Sequence, residues 1–381
     1  MKATFTSHAV AASPKKGSQD ACAVESWRDA VIAVVADGVG KAEQAGEAAR
    51  RVVESFTTNF KSRPRSWSAA RALEEFTRLI NRTLHQESLA RFGREELVST
   101  VAVVAIEGGR LHGINVGDSR AYLWRDGALT QLSTDHAETQ RDFEHVLRRA
   151  IGLAADVMPQ NFETPVRAGD RVLLCSDGLS NVLDADALQS LLATQPTART
   201  LVATAQERAT PKSLDDISAI VIEVIDAGSE RERTLEIPGP LRAGETHDGC
   251  TLVRPLNTAE RAWIARREGR EVVVKFPTIR AQDDEIVRNQ FAKEIWSVTR
   301  FEADFFIRAF VPPENRTLCY CMEYVQAPTL QETVQRAPIA VADALALANF
   351  LLDACQFLAG HDLVHGDLKP ENILVLGDAA K

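Results

Sequence analysis

Carboxylates stand directly beside apolar runs that are typical of strands in a sheet. Asp37 follows "AVIAVVA" and Asp177 follows "RVLLCS". Asp118 follows "LHGINVG", Asp215 opens "DDISAIVI", and Asp20 precedes "ACAV". Because the strands of one sheet begin and end near a common edge, we expect these side chains to converge.

Several converging carboxylates need cations to be tolerable. Two unit charges about 4 Å apart repel by about 4 kcal/mol at an effective dielectric near ~20. Hard divalent ions with oxygen ligands, Mg²⁺ or Mn²⁺, suit such a site. A pair of these ions can bind phosphate, lower the pKa of a water and deliver it in line. The pattern therefore predicts metal-assisted hydrolysis of a phosphate ester.

A simpler interpretation exists for each of these aspartates alone. Asp-Gly after a strand is ordinary turn chemistry, and for a single instance that reading is preferable. Two strand-Asp-Gly units together with "NVGDSR" and "DDIS" are much harder to explain as turns. The set as a whole favours a metal site.

The elements that position these residues follow from periodicity. Residues 30–40 and 97–106 form continuous apolar runs, and "RAYLWRDGALTQLS" predicts a hairpin closed at Arg-Asp-Gly. Residues 41–62 and 66–92 are amphipathic with a helical period. Strands supplied in runs, with helices grouped in pairs, indicate sheets covered by helices rather than a doubly wound sheet.

Composition limits the class of partner. The chain has 381 residues, with 44 Lys and Arg against 53 Asp and Glu, for a net charge of −9. This balance argues against bulk binding of nucleic acid, which needs a basic face. The N-terminus lacks the apolar core of a signal peptide, and no run reaches the ~18 apolar residues of a membrane span. We therefore expect a cytoplasmic protein with no membrane segment in this chain.

Motifs in the first half occur in the order and spacing of a known family. "KKGSQDA", "VVADGVG", "AGEAA", "NVGDSRAYLWRDGALTQLSTDHA", "RRAIG", "LLCSDGL" and "DDISAIVI" resemble the metal-dependent PP2C (PPM) protein serine/threonine phosphatases. The resemblance covers residues 1–226 and implies an α+β fold, a four-layer α-β-β-α sandwich. It also implies hydrolysis of phosphoserine and phosphothreonine on proteins at a centre of two Mn²⁺ or Mg²⁺ ions.

The resemblance assigns a role to each candidate ligand. Asp37 would bridge both ions and the Gly38 carbonyl would bind one of them. Asp177 and Asp215 would hold the other ion. Asp20 would orient the attacking water. Asp118, together with Asp177, would help bind a third, weaker ion.

Some positions depart from the family pattern. Lys15 stands where a phosphate-binding Arg is usual, which keeps the charge but loses the bidentate fork. Val39 occupies the place of the His general acid of eukaryotic members, so the leaving group must be protonated by water or another group. Ser18 and Asp216 each replace an Asn, and Asp216 puts an extra carboxylate close to the site. His136, in "TDHA", is interpreted as structural.

Residues 227–243 are charged and then rich in Pro and Gly, as is typical of a linker. The following residues, 244–381, resemble the first part of a eukaryotic-like serine/threonine protein kinase. "VVVKF" supplies Lys275 for the ATP phosphates, and "FAKEIW" supplies Glu294 as its ion-pair partner. "MEYV" resembles the hinge, with Met322 as gatekeeper and Glu323 to Val325 facing adenine.

The stretch "HGDLKPEN" resembles the kinase catalytic loop. The resemblance implies that Asp367 is the base for the substrate hydroxyl, that Lys369 lies near the transferred phosphate and that Asn372 binds Mg²⁺. His365 belongs to the same loop, and Gly366 replaces the Arg that usually couples to a phosphorylated activation loop. We expect ATP with Mg²⁺ as the ligand of this module.

Two features count against kinase activity of the chain as written. The stretch before Lys275 is "LNTAERAWIA", without the glycines of a phosphate-covering loop, and the kinase resemblance stops after the catalytic loop. We therefore expect an incomplete two-lobe kinase fold, truncated after that loop, in a fragment of a bifunctional bacterial phosphatase–kinase. The kinase domain itself is a candidate substrate of the phosphatase. The alternative is a regulatory protein whose pseudokinase segment binds nucleotide or a partner and controls the phosphatase domain.

Overall fold

The structure is a computed structural model of this chain. It describes residues 1–12, 17–40, 42–64, 66–137, 147–211, 213–228, 235–256, 261–299, 303–314, 316–360, 363, 365–376 and 379–380. The chain divides into two compact units, Met1–Arg63 with Ser68–Glu232, and Pro64–Trp67 with Arg233–Lys381.

In its described residues the first unit contains two antiparallel sheets and five helices. Its elements are β1 (Lys2–Val10), β2 (Asp20–Trp27), β3 (Ala30–Val39), α1 (Ala42–Ser62), α2 (Ala69–Phe92), β4 (Val98–Ser99), β5 (Val101–Glu107), β6 (Arg110–Val116), β7 (Arg120–Arg125), β8 (Ala128–Gln131), β9 (Gln160–Pro165), β10 (Arg171–Cys175), α3 (Asp177–Ser180), α4 (Ala185–Ala193), α5 (Ala198–Arg208) and β11 (Ile217–Asp226). One sheet has the strand order β1-β11-β10-β7-β8, and we call it the first sheet. The second sheet has the order β2-β3-β5-β6-β9, with β4 beside β3.

The two sheets pack face to face, as the alternation along β10 shows. Val172 and Leu174 belong to the apolar cluster between the sheets, whereas Leu173 and Cys175 belong to the cluster under α3 to α5. On the other side, α1 and α2 cover the second sheet and pack on each other. The predicted four-layer α-β-β-α sandwich is therefore confirmed.

The β7–β8 hairpin has the turn that its sequence predicts. Asp126 and Gly127 have φ values of 50° and 86°. Positive φ at both central residues of a two-residue loop is the requirement of a type I′ turn, which Asp-Gly satisfies. Strands β1 and β9 are two elements that the sequence analysis does not predict, because polar residues interrupt both segments.

In its described residues the second unit has a six-stranded sheet, helices and a two-stranded sheet of β18 and β19. Its elements are β12 (Thr246–His247), β13 (Cys250–Pro255), β14 (Ala262–Arg267), β15 (Arg270–Lys275), α6 (Glu285–Thr299), β16 (Ala309–Phe310), β17 (Tyr320–Glu323), α7 (Leu330–Arg336), α8 (Val341–Ala359), β18 (Val375–Leu376) and β19 (Ala379–Ala380), with 3₁₀ turns at Ile279–Gln282 and Pro370–Asn372. The sheet order is β12-β13-β14-β15-β17-β16. Phe291 and Ile295 of α6 pack on Leu318 and Tyr320 at the sheet.

The end of the predicted linker packs within the second unit. Glu236 pairs with Thr317 in an isolated parallel bridge. Ile237 packs against the α6 cluster, and Leu241 is buried in the core of the sheet. Residues 235–243 are thus not a free spacer. The sequence analysis missed this packing because the segment is rich in Pro and Gly and has too few apolar side chains to form a recognisable period.

Helix α8 is apolar along its length. Within the ranges described above, it is the one helix long and apolar enough to cross a membrane, with a mean hydropathy of 1.5. Val341, Leu345 and Leu352 are exposed on it. The sequence analysis predicts no membrane segment, and a single helix of this kind is weak evidence for one, since core helices of soluble proteins have the same composition.

Candidate functional site

Asp20 and Asp37 lie opposite each other in the register of β2 and β3. Thr100 fixes the Asp37 backbone, because its Oγ1 accepts the Asp37 N–H at 3.0 Å and its own N–H donates to the Asp37 carbonyl at 2.7 Å. Asp20 is buried, and its Oδ2 accepts a hydrogen bond from the Ser176 hydroxyl at 2.7 Å. Ser176 follows β10, so this bond joins the two sheets at the site.

The other three predicted carboxylates approach the same place. Asp118 follows β6, Asp177 begins α3, and Asp215 shortly precedes β11. Burial, followed by the charges of Asp118, Asp215 and Asp20, raises the pKa of Asp177 to about 7. Burial, followed by the charges of Asp20 and Asp177, raises the pKa of Asp37. The structure therefore brings all five candidates together, as the strand ends predict.

Buried oxygens of this cluster lack donors. Oδ1 of Asp20 and Oδ1 of Asp177 are buried and accept no hydrogen bond from the described residues. A buried carboxylate oxygen without a donor is costly, so these atoms suit a bound cation or a water that a cation holds. Among the described residues, no group of three or more His, Cys, Asp or Glu side chains has the arrangement of a complete metal site by itself.

Gly38 lies where helix α1 meets the end of β3. A Cβ on Gly38 would lie 2.0 Å from the carbonyl oxygen of Ala45. A Cβ on Gly46 would lie 2.8 Å from the carbonyl oxygen of Ser18. The two glycines therefore let α1 pack directly against the backbone on either side of the acidic cluster.

Asp216 lies beside the cluster, as predicted, but it is bound to the backbone. Asp216 is 8% exposed. Burial is the largest cause that raises the pKa of Asp20, and the charge of Asp216 raises it further. The Oδ1 of Asp216 accepts the Ala12 N–H at 2.6 Å, and its Oδ2 accepts the Gln19 N–H at 2.5 Å. The Ser18 hydroxyl donates to the same Oδ2 at 3.3 Å.

The remaining predictions for this unit have separate outcomes. Lys15 lies outside the described residues. Val39 is the last residue of β3. His136 is buried and its Nδ1 accepts the Gly117 N–H at 3.2 Å, while burial, followed by the charge of Arg149, lowers its pKa. These contacts support the structural interpretation of His136.

Lys275 and Glu294 form the ion pair that the second motif set predicts. The Lys275 Nζ lies 2.5 Å from Oε1 of Glu294, which joins β15 to α6. The Tyr320 hydroxyl donates to the same oxygen at 2.7 Å. Sequence reasoning missed Tyr320. Its only signal was its position in the strand "LCYCMEYV", two residues before Met322.

The "HGDLKPEN" residues form a local cluster of their own. Lys369 Nζ lies 2.9 Å from Oδ2 of Asp367, and the Asn372 side chain donates to that oxygen and to the Asp367 carbonyl, each at 2.9 Å. The hydrogen bond from Lys369, then that from Asn372, lowers the pKa of Asp367. This arrangement keeps the Asp367 carboxylate ionised.

A cavity of about 630 Å³ in the second unit contains several of the predicted nucleotide-binding residues. Its lining includes Lys275, Glu294, Met322, Asp367 and Asn372. The predicted contacts Glu323, Val325 and Lys369 are not among the lining residues. The N–H of Glu323, which is the last residue of β17, donates to the Arg308 carbonyl.

Comparison with known proteins agrees with this division. Residues 6–217 match the family model "Protein phosphatase 2C", and residues 261–380 match "Protein kinase domain". Serine/threonine protein phosphatase PstP of Mycobacterium tuberculosis is 28% identical over 273 residues, which cover 66% of this chain and 50% of PstP. The chain therefore spans about half the length of this relative.

Two further matches represent the two units. The catalytic domain of PstP, solved with two manganese ions, has a TM-score of 0.51 and 24% identity and covers 59% of this chain and 99% of its own. Serine/threonine-protein kinase AfsK of Streptomyces coelicolor is 33% identical over 123 residues, or 31% of this chain and 15% of AfsK. The phosphatase model alone matches more than half of the residues, so the chain belongs to the protein phosphatase 2C family and carries a protein kinase domain at its C-terminal end.

Proposed function

We propose that residues 1–226 hydrolyse phosphoserine and phosphothreonine on proteins in a metal-dependent reaction. The observation that carries this proposal is the convergence of five aspartates, two of which, Asp20 and Asp177, have a buried oxygen that accepts no hydrogen bond from the described residues. Asp37 and the Gly38 carbonyl, with Asp177 and Asp215, would hold two ions, and Asp118 would contribute with Asp177 to a third. When bound, the ions would supply an activated water and neutralise the phosphate oxygens.

The chain's own residues would orient the reactants. The Ser176 hydroxyl fixes one oxygen of Asp20, which leaves the other free to accept a hydrogen bond from the attacking water. Lys15 would supply a positive charge for the phosphate. With Val39 at the general-acid position, the leaving alkoxide would take its proton from solvent.

Manganese is the proposed metal, since the solved PstP domain carries two manganese ions. The proposed substrates are phosphorylated proteins, with the attached kinase domain as one candidate. A cytoplasmic location, without nucleic-acid partners, is part of the same proposal. The net charge of −9 supports the absence of nucleic-acid partners.

For residues 244–381 we propose binding of ATP with Mg²⁺. The Lys275–Glu294 pair at 2.5 Å and the cavity beside Asp367 and Asn372 support this. The alternative, a nucleotide-binding regulator of the phosphatase, is favoured by "LNTAERAWIA", which lacks the glycines of a phosphate-covering loop.

The test of the phosphatase proposal is release of phosphate from a phosphothreonine peptide by the full chain. Turnover with Mn²⁺ that EDTA abolishes is expected, with no turnover of a phosphotyrosine peptide. Absence of turnover by folded protein with Mn²⁺ would favour the regulatory alternative. Binding of a fluorescent ATP analogue by wild type, compared with Lys275→Met, tests the second unit separately.

A further inference from the structure

Asp216 joins the two ends of one connection. Strand β1 ends at Val10 and strand β2 begins at Asp20. Oδ1 of Asp216 accepts the N–H of Ala12, just after β1, and Oδ2 accepts the N–H of Gln19, just before β2. One buried carboxylate thus holds both ends of the β1–β2 connection.

This connection passes from one sheet to the other. β1 pairs with β11 in the first sheet, where Val10 lies opposite Ile217. β2 pairs with β3 in the second sheet, where Asp20 lies opposite Asp37. Asp216 directly precedes β11 in the first sheet, so its bond to Gln19 links the two sheets at the acidic edge.

The hydrogen bond between Asp216 and Gln19 joins residues that are adjacent in sequence to two candidate metal ligands. Asp215 is the neighbour of Asp216, and Asp20 is the neighbour of Gln19. Ser18 adds a second path, since its hydroxyl donates to Asp216 and accepts the Asp20 N–H at 3.1 Å. The position of Asp20 relative to Asp215 therefore depends on the Asp216 carboxylate.

We propose that Asp216 is a positioning residue that sets the spacing between Asp20 and Asp215 across the two sheets, and thereby the affinity of the site for Mn²⁺. This inference deepens the proposed phosphatase function and depends on it. Asp216 itself does not touch the ions or the substrate in this role.

The two backbone hydrogen bonds that Asp216 accepts in this chain require a carboxylate of this length. The two backbone N–H groups each use a separate oxygen, and hydrogen bonds to an ionised carboxylate are the shorter and stronger kind. An asparagine has one acceptor oxygen and would place its NH₂ against a backbone N–H donor. A glutamate keeps the charge but moves both oxygens by one methylene, so it cannot reach Ala12 and Gln19 in the same geometry.

A purely electrostatic role would give a different result. If Asp216 acted only through its negative charge, Asp216→Glu would bind Mn²⁺ like wild type and only Asp216→Asn would be weakened. If Asp216 positions Asp20, both variants would be weakened. The pair of substitutions therefore separates geometry from charge.

The experiment is a Mn²⁺ titration by calorimetry of the full chain, with kcat and KM for a phosphothreonine peptide at saturating Mn²⁺. For Asp216→Asn and Asp216→Glu we expect Mn²⁺ affinity reduced by roughly 10- to 100-fold, the usual effect of losing a group that orients a metal ligand. We expect kcat to fall while KM stays within about twofold, because Asp216 does not contact the peptide. Asp186→Asn, an exposed acid on α4, is the matched control and is expected to behave like wild type.

The outcomes are decisive in either direction. Wild-type affinity in both Asp216 variants, or in Asp216→Glu alone, would overturn the positioning role. If neither variant folds, as judged by thermal unfolding in EDTA, Ser18→Ala tests the same path, with a smaller loss of Mn²⁺ affinity expected and wild-type affinity overturning the proposal. Absence of Mn²⁺ binding and turnover in wild type itself would instead contradict the proposed function.

Discussion

Asp20, which is buried, and Asp37, which is half-buried, face each other on adjacent strands, and each lies beside further carboxylates. Like charges directly opposite in a sheet are destabilising. The fold nevertheless places them there and surrounds them with backbone contacts from Thr100 and a hydroxyl from Ser176. Such an arrangement is costly in the metal-free protein and becomes favourable only when cations occupy it.

Asp37→Asn should therefore stabilise the metal-free protein while removing metal binding. Because burial and the charges of Asp20 and Asp177 raise the pKa of Asp37, replacing its carboxyl group is expected to raise the free energy of unfolding at neutral pH by roughly 1 kcal/mol. Thermal unfolding in EDTA and then in excess Mn²⁺ measures both effects. Wild type should gain stability on adding Mn²⁺ and the variant should not. Equal stabilisation of both proteins by Mn²⁺ would place the ions elsewhere.

Stability of the metal-free protein should depend on the protonation of Asp177. Its pKa rises from an ordinary 3.8 to about 7, mainly through burial, so the folded state favours the protonated form. The stability that this group contributes is present below its ordinary pKa and is lost as the pH rises from about 4 to about 7.

The measurement is urea unfolding in EDTA at about pH 5 and about pH 8, with Asp177→Asn as the reference. Wild type should lose stability relative to the variant over this interval, and Mn²⁺ should restore it at the higher pH. Parallel pH profiles for the two proteins would show that Asp177 ionises normally in the fold.

Gly38→Ala should disrupt the first unit. The added Cβ would lie 2.0 Å from the Ala45 carbonyl oxygen, so either α1 or the end of β3 must move. A loss of about 3 kcal/mol in unfolding free energy is expected, together with loss of phosphatase activity. Gly17→Ala is the control, because a Cβ added at Gly17 would meet no atom within 4 Å. Similar stability of the two variants would contradict the close packing of α1 on β3.

Tyr320→Phe should weaken nucleotide binding in the second unit. It removes the hydroxyl that donates to Glu294 Oε1 at 2.7 Å, next to Lys275. A hydrogen bond to a charged group contributes about 1.5 kcal/mol, which corresponds to roughly a tenfold increase in Kd. Titration of a fluorescent ATP analogue measures this change in Kd, with Tyr122→Phe, in β7 of the first unit, as the control. An unchanged Kd would show that Tyr320 does not organise the Lys275–Glu294 pair.

The acidic cluster could be predicted from sequence because its position depends on local pattern. Apolar runs fix where strands end, and Asp37 lies two residues before the end of β3 while Asp177 lies two residues after the end of β10. The β7–β8 hairpin could be predicted in the same way, because Asp126-Gly127 alone supplies the two residues with positive φ that the turn requires. Both predictions needed only neighbouring residues.

Features that depend on distant contacts could not be predicted in the same way. Asp216 looked like one more carboxylate near the metals, and its binding to Ala12 and Gln19 depends on residues 204 and 197 positions away. Leu241 looked like part of a linker, yet it is buried in the second unit's core. Tyr320 had no signal beyond its place in a strand, because its partner Glu294 lies on a separate helix.

The central claim is that the five converging aspartates form a metal-dependent phosphatase centre. Its most direct test is the rate of phosphate release from a phosphothreonine peptide as a function of Mn²⁺ concentration, for wild type and Asp37→Asn. The account predicts saturable activation of wild type and a loss of at least about 100-fold in the variant, as expected when a group essential to the catalytic centre is removed. Equal rates in the two proteins, or activity that persists in EDTA, would contradict it.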